Sequence, residues 1–305
     1  MSHLVAALYK FHPIPDPEAL RAPLLAHCQA QGVRGILLLA REGLNGTISG
    51  PPEGIQAVLD WLRAIPGFAD LQHKESHAHQ APFARMKVRI KQEIVTMGVP
   101  DADPLQGVGT YLPPREWDAL LADPDTVLID TRNDYEVAIG TFKGAIDPDI
   151  ESFRAFPQWI QDHREQLEGK NIAMFCTGGI RCERATAWMK AQGFEKVFHL
   201  EGGILRYLEQ TPAQQSNWEG ECFVFDRRIA LNHDLEPGDW CLCGGCRWPL
   251  GAQDRLHPDY EEGVSCAHCA RSLSDHQRAS FRERQKQINL ARERGQVHQL
   301  QTQAE

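Results

Sequence analysis

The chain has 305 residues, 42% of them hydrophobic and 24% charged, with a net charge of -9 and nine cysteines. That length divides into two or three domains, each able to bury a core, and the composition is that of a globular protein rather than a disordered or fibrous one. No apolar run approaches the roughly eighteen residues of a membrane span, and the N-terminus lacks the n-region, h-region and cleavage site of a signal peptide, so the expected address is cytoplasmic. There, cysteines serve catalysis or metal binding rather than a disulfide framework, and an acidic chain binds nucleic acid only through local patches.

Residues 1–97 read as a small first domain. A strand over Val5–Phe11 is followed by a helix over Pro17–Gln31, with Asp16 placed to cap it and Pro17 at its first position. Strands over Gly35–Ala40 and Gly46–Ser49 flank a Leu44-Asn45-Gly46 turn, then come a helix over Gly54–Ile65 and a last strand over Met86–Val95. The order βαββαβ predicts a ferredoxin-like α+β sandwich, a fold that hosts many functions and decides none.

Within it, His73-Lys74-Glu75-Ser76-His77-Ala78-His79 alternates nitrogen and carboxylate groups that an iron site would need, although an exposed loop is the simpler expectation. In the last strand Met86, Val88 and Ile90 alternate with Arg85, Lys87, Arg89 and Lys91. One face would be buried and the other would carry four cations at about 7 Å intervals, a spacing that can follow an RNA phosphate backbone or simply face solvent beside carboxylates.

Turn formers over 98–114 and 211–220 bracket a second domain at 112–212. Its centre is the segment Asn171-Ile-Ala-Met-Phe-Cys176-Thr177-Gly178-Gly179-Ile180-Arg181-Cys182, an apolar strand that ends at a cysteine and turns through glycines into an Ala-rich helix. The glycines let successive N–H groups point inward, and the helix N-terminus adds its partial positive charge, so the segment is built to hold a thiolate at Cys176. Four residues separate Cys176 from Arg181, one fewer than in cysteine phosphatases, which suits a single sulfur better than a phosphate. Cys182 is either a resolving thiol for an oxidised Cys176 or a small residue that fits under the sheet.

Residues 221–305 hold a cysteine-rich segment and a basic tail. Cys243-x2-Cys246 and Cys266-x2-Cys269 lie 19 residues apart, a spacing at which two thiolate turns close around one structural zinc, while Cys241 leaves the ligand set open, as do a redox cluster or free thiols. The segment Arg271–Arg294 has seven cations against three acids. Arg278, Arg282, Arg284, Lys286, Arg292 and Arg294 fall on an expected helix that either contacts RNA or is a solvated tail.

Asp130, Arg132, Glu136, Gly140, Gly144, the Cys176 loop and the Gly202-Gly203 pair together make residues 112–212 resemble a rhodanese domain. That resemblance implies a parallel sheet flanked by helices, with Cys176 as the active-site residue carrying a persulfide or acting as a thiolate, and Arg181 helping to hold the anion. Cys182 departs from the Ser or Thr common there.

With Arg41-Glu42-Gly43-Leu44-Asn45-Gly46-Thr47-Ile48-Ser49-Gly50, Lys91 to Gly98 and the cysteine-rich tail added, almost the whole chain resembles the bacterial tRNA uridine hydroxylases of the TrhO type. The resemblance implies oxygen-dependent conversion of the wobble uridine, position 34, to 5-hydroxyuridine, with tRNA as partner, molecular oxygen as co-substrate and Cys176 essential. No Gly-x-Gly-x-x-Gly dinucleotide loop is present, and the residues identify no electron donor. Two other readings stand beside it: a sulfurtransferase working through a Cys176 persulfide, and a non-catalytic rhodanese-type binding module, against which the intact cysteine loop counts.

Overall fold

Leu4, Ala6 and Leu8 recur at the two-residue period of a strand and all three are buried in one apolar core, so β1 (His3–Phe11) lies inside a sheet. In the computed structural model, which describes residues 3–99 and 102–295, it is followed by α1 (Pro17–Ala30), β2 (Arg34–Ala40), β3 (Gly43–Gly50), α2 (Pro52–Arg63), β4 (His73–Ala78) and β5 (Met86–Ile90). The sheet runs β4-β1-β3-β2-β5, antiparallel except for the β2–β5 pair. Leu24 and Cys28 of α1 and Ile55, Val58, Leu59 and Leu62 of α2 close over Leu37, Leu39, Leu44 and Ile48. The Asp16 side chain accepts from the Ala19 N–H, the expected cap.

Three expectations for this domain need correction. The chain reverses at Arg41-Glu42, and Leu44-Asn45-Gly46 lies inside β3, where Gly46 pairs with both Leu8 and Leu37. A Cβ there would fall 2.0 Å from the Ile36 carbonyl oxygen, so this glycine serves close strand packing rather than a turn. Second, the fourth strand of the βαββαβ unit is β4, paired with β1, and β5 ends at Ile90 as an additional fifth strand. The His73 run is therefore an edge strand rather than a loop, and His73 is engaged by Glu75 at 2.8 Å and by Arg63 at 3.2 Å. Third, Lys87 is buried at 9% exposure, which leaves Arg85, Arg89 and Lys91 as the exposed cations of the expected row.

The next segment contains β6 (Thr110–Leu112), α3 (Pro114–Leu121), β7 (Thr126–Asp130), α4 (Asp134–Val137), β8 (Gly140–Phe142), α5 (Phe156–Asp162), α6 (Arg164–Leu167), β9 (Asn171–Phe175), α7 (Ile180–Ala191), β10 (Val197–Leu200) and α8 (Gly203–Gln210). Its sheet is parallel throughout, in the order β6-β10-β9-β7. Successive strand residues feed two different cores. Ile129, Ile172 and Met174 pack with Phe156, Ile160, Trp188 and Met189 on one face, and Leu128, Ala173 and Phe175 with Trp117, Ile204 and Tyr207 on the other. Apolar side chains on both faces explain the uninterrupted hydrophobic strand before Cys176, and they place that residue at the carboxyl end of a central strand, where open parallel sheets carry their sites.

Among the described residues these two domains share one compact unit, which runs to Phe223 and includes Leu231–Glu236, while Val224–Ala230 and the described residues from Pro237 to 295 form a second. In the second unit a short hairpin pairs Cys241–Leu242 with Pro249–Leu250, and α9 (Asp275–Glu293) starts at a Ser274–Gln277 capping box. The basic helix is not a free tail. Arg282 holds Glu261 at 2.6 and 2.7 Å, Arg284 donates to the carbonyls of Gly244 (2.5 Å) and Gly263 (2.9 Å), and Arg278 donates to that of Ala270. Residues 100–101 of the first expected linker and 296–305 of the tail lie outside the described residues. Among the described residues no helix is long and apolar enough to cross a membrane.

Candidate active site

Cys176 follows the last residue of β9, and its sulfur accepts from the Gly179 N–H at 3.1 Å. Gly179 has φ 105°, a left-handed conformation that opens α7, and a Cβ there would meet the Tyr9 hydroxyl at 2.9 Å. The Gly202-Gly203 pair has a packing reason too. Gly203 has φ 67°, and a Cβ on it would lie 2.4 Å from the Cys176 carbonyl oxygen and 2.8 Å from the amides of Gly178 and Gly179. The N-terminus of α8 is thereby pressed against the loop, with the Ile204 and Leu205 amides bonded to the Cys176 and Thr177 carbonyls.

Burial alone would push the Cys176 thiol up. A hydrogen bond from Cys182, the charge of Arg181 and the amides of Cys182 and Gly179 outweigh it and lower the thiol pKa to about 5, which favours the thiolate at neutral pH. A thiolate held in this way can add to an electron-poor carbon or take up a sulfur or oxygen atom.

Arg181 works through its charge rather than as a free hand. Its guanidinium makes a bidentate pair with buried Glu136 at 2.6 and 2.7 Å, with Thr177 Oγ1 3.3 Å from the same carboxylate. Burial would raise the Glu136 carboxyl, but Arg181 and Arg132 hold it down and ionised. The other residues of the rhodanese pattern form a second buried pair: Arg132 grips Asp130 at 2.9 and 2.6 Å and donates to the Glu136 and Gly140 carbonyls at 3.2 and 2.5 Å. These pairs tie α4 and β8 to the end of β7. Removing one partner of such a pair costs about 3–5 kcal/mol because the other charge is left buried.

Cys182 lies in the first turn of α7, 3.6 Å from Thr131 Oγ1. Burial and then the hydrogen bond and charge of Cys176 push its thiol well above the ordinary range, so one sulfur is the anion and its neighbour the donor. Removing that donor in Cys182→Ala should move the pH midpoint of Cys176 alkylation upward, whereas Cys182→Ser keeps an O–H and should shift it less. Equal shifts in the two variants would mean that Cys182 contributes only volume.

Sequence reasoning missed what the first domain brings to this loop. Tyr9 of β1 donates to Glu183 Oε1 at 2.7 Å, and Lys74 of β4 donates to the Gly178 carbonyl at 2.9 Å. On the far side of α7, Arg184 pairs with Glu42, lies 3.7 Å from Glu93, and donates to the Ala102 carbonyl at 3.2 Å. Glu42 and Asn45 bond the backbone of Ile94 at 2.6 and 2.8 Å. The Arg41–Gly50 and Lys91–Gly98 motifs are therefore the brace between the domains. Lys74 lies within the His73–His79 run, whose density of polar groups marked it in the sequence, while Tyr9 carried no such mark.

In the second unit, Cys243, Cys246, Cys266 and Cys269 have their sulfurs within 4.8 Å of one another, and three of the pairs measure 3.7, 3.7 and 4.0 Å. Four sulfurs at about 2.3 Å from a tetrahedral zinc lie about 3.8 Å apart, so the spacing fits an ion and is too long for disulfides. Cys241, in the hairpin, is not part of this group.

A family model for the UPF0176 acylphosphatase-like domain matches residues 3–94, and one for the rhodanese-like domain matches residues 113–210. Curated relatives named tRNA uridine(34) hydroxylase match nearly all of both chains. The protein of Agrobacterium fabrum is 58% identical over 97% of this chain and 94% of its own. Those of Gluconobacter oxydans and Rhizobium etli are 56% and 57% identical, over 96% and 97% of this chain and 95% and 96% of theirs. At these identities over nearly the whole length of both chains, the protein belongs to the tRNA uridine(34) hydroxylases.

Proposed function

We propose that the protein converts uridine 34 of tRNA to 5-hydroxyuridine, with molecular oxygen as co-substrate and the Cys176 thiolate at the reacting centre. The observation that supports it best is the buried sulfur held as an anion by the Gly179 amide and the Cys182 thiol, in a chain this similar to its relatives over both domains. Arg181 and Cys182 tune the thiolate, and Thr177, Gly178, Gly179 and Ile180 form its loop. The test is mass spectrometry of nucleosides from tRNA of cells with and without the protein. Oxygen-dependent 5-hydroxyuridine is expected only with it, and a thiolated base in its place would favour a sulfurtransferase.

Arg85, Arg89 and Lys91, exposed on and beside the edge strand β5, are proposed to contact the tRNA backbone. Replacing all three with Gln should lower affinity and reduce the slope of log K against log salt by roughly 2 to 3, since each lost phosphate contact removes about 0.7–0.9 of a released counterion. An unchanged slope would remove this edge from the interface. For Cys243, Cys246, Cys266 and Cys269 we propose a structural zinc, which would supply cross-linking of the two Cys-x-x-Cys turns and no step of the reaction.

A further inference from the structure

The Cys176 loop is open at Gly178, and groups from both domains stand beside it. A Cβ on Gly178 would meet nothing within 4 Å, so the loop fronts free space there. Around that opening stand Lys74, which spends one N–H on the Gly178 carbonyl and lies over the Tyr9 ring at 5.7 Å, and half-buried Glu183, which accepts from Tyr9. Tyr111 lies near enough to feel the Glu183 charge and keeps 43% of its surface exposed, with its ring edge-on to His199 at 4.2 Å. Arg181 is consumed by Glu136, whereas Lys74, with one N–H on the Gly178 carbonyl, keeps donors to spare at the loop.

We propose that this rim is the seat of the target base, with the exposed Tyr111 ring as its stacking platform and Lys74 and Glu183 reading its edge. The inference rests on the uridine 34 reading. A uracil edge presents the O4 acceptor beside the N3–H donor, which is the complement of an ammonium donor beside a carboxylate acceptor. Cytosine in the same pose sets its amino group against Lys74 and its unprotonated N3 against Glu183. The seat therefore selects uridine by leaving cytidine with two mismatched polar groups. An anticodon base unstacked from its loop needs such a platform, and Tyr111 supplies the ring. Burial pushes the Glu183 carboxyl up and the Lys74 ammonium down, as expected of groups drawn partly out of water.

The test uses the full chain and two anticodon stem–loops that differ only in U or C at the wobble position, competed for binding. The wild type should prefer uridine by about 10- to 100-fold, the range for one well-matched pair of base contacts. Glu183→Gln and Lys74→Met should bring that ratio close to one, with Lys74→Arg restoring part of it. Tyr111→Ala, which removes an exposed ring and leaves the core intact, should weaken both loops by about tenfold or more and keep the ratio. A wild-type ratio in Glu183→Gln and Lys74→Met proteins of unchanged melting temperature overturns the edge reading, and unchanged affinity in Tyr111→Ala overturns the platform. If cells carrying the wild type make no 5-hydroxyuridine, it is the hydroxylase reading that falls. If they make it while the ratios stay put, only the base seat does.

Discussion

Cys176→Ser should reduce 5-hydroxyuridine in tRNA by about a thousandfold or more, because a serine hydroxyl stays neutral in a site whose donors are arranged for an anion. The wild-type control is the pH dependence of Cys176 alkylation. A free thiol reacts with a midpoint near its pKa of about 8.5, and a thiol whose folded value is depressed keeps its thiolate as pH falls below that, losing it only through the lower, folded value. The midpoint for Cys176 should therefore lie well below 8.5 and the rate should be flat across neutral pH. The midpoint is the informative quantity, since the sulfur is buried and its absolute rate also reports access. Burial pushes Cys28 and Cys222 up to about 12, so these two should stay unlabelled in the same sample. Labelling that spares Cys176 and modifies either of them, or a serine variant that still hydroxylates tRNA, would take the thiolate out of the mechanism.

The second large effect is metal removal. The apolar core of the second unit is small: Cys243, Cys266, Cys269 and Leu250 cluster with Cys241, Trp248, Tyr260 and Leu273, and the other buried apolar residues, such as Val264 and Ala270, are mostly small. That is too little apolar area to offset the entropy of ordering the segment, and a 19-residue basic helix gains little stability of its own. Apparent binding energies of structural zinc are about 10–16 kcal/mol, comparable to the whole stability of an ordinary domain. Metal analysis of reduced protein should give about one zinc per chain. Chelation, or Cys269→Ser, should release hydrogen-exchange protection across the hairpin and α9 while the Cys176 domain keeps its melting transition. Protein free of zinc with the same protection in this segment would refute the site.

What the sequence determined by itself is what short-range chemistry encodes. The strand–cysteine–glycine–helix segment, the Asp16 cap, the Cys-x-x-Cys spacing and the glycines against the loop are local constraints, and each is found where the residues put it. Only the tertiary structure decided what depends on partners far along the chain. β4 carries no apolar alternation because it is an edge strand with polar side chains on both faces, so period-two reading passed over it. Lys87 alternates with apolar residues as an exposed cation would, yet it is buried. Arg181 reads as a group that helps hold the anion at Cys176, and only the structure shows its guanidinium already paired with Glu136, 45 residues earlier. Tyr9 and Lys74 reach Glu183 and Gly178 across 174 and 104 residues, separations over which a single sequence carries no periodic signal, so the polar rim beside the Cys176 loop exists only once the two domains are packed together.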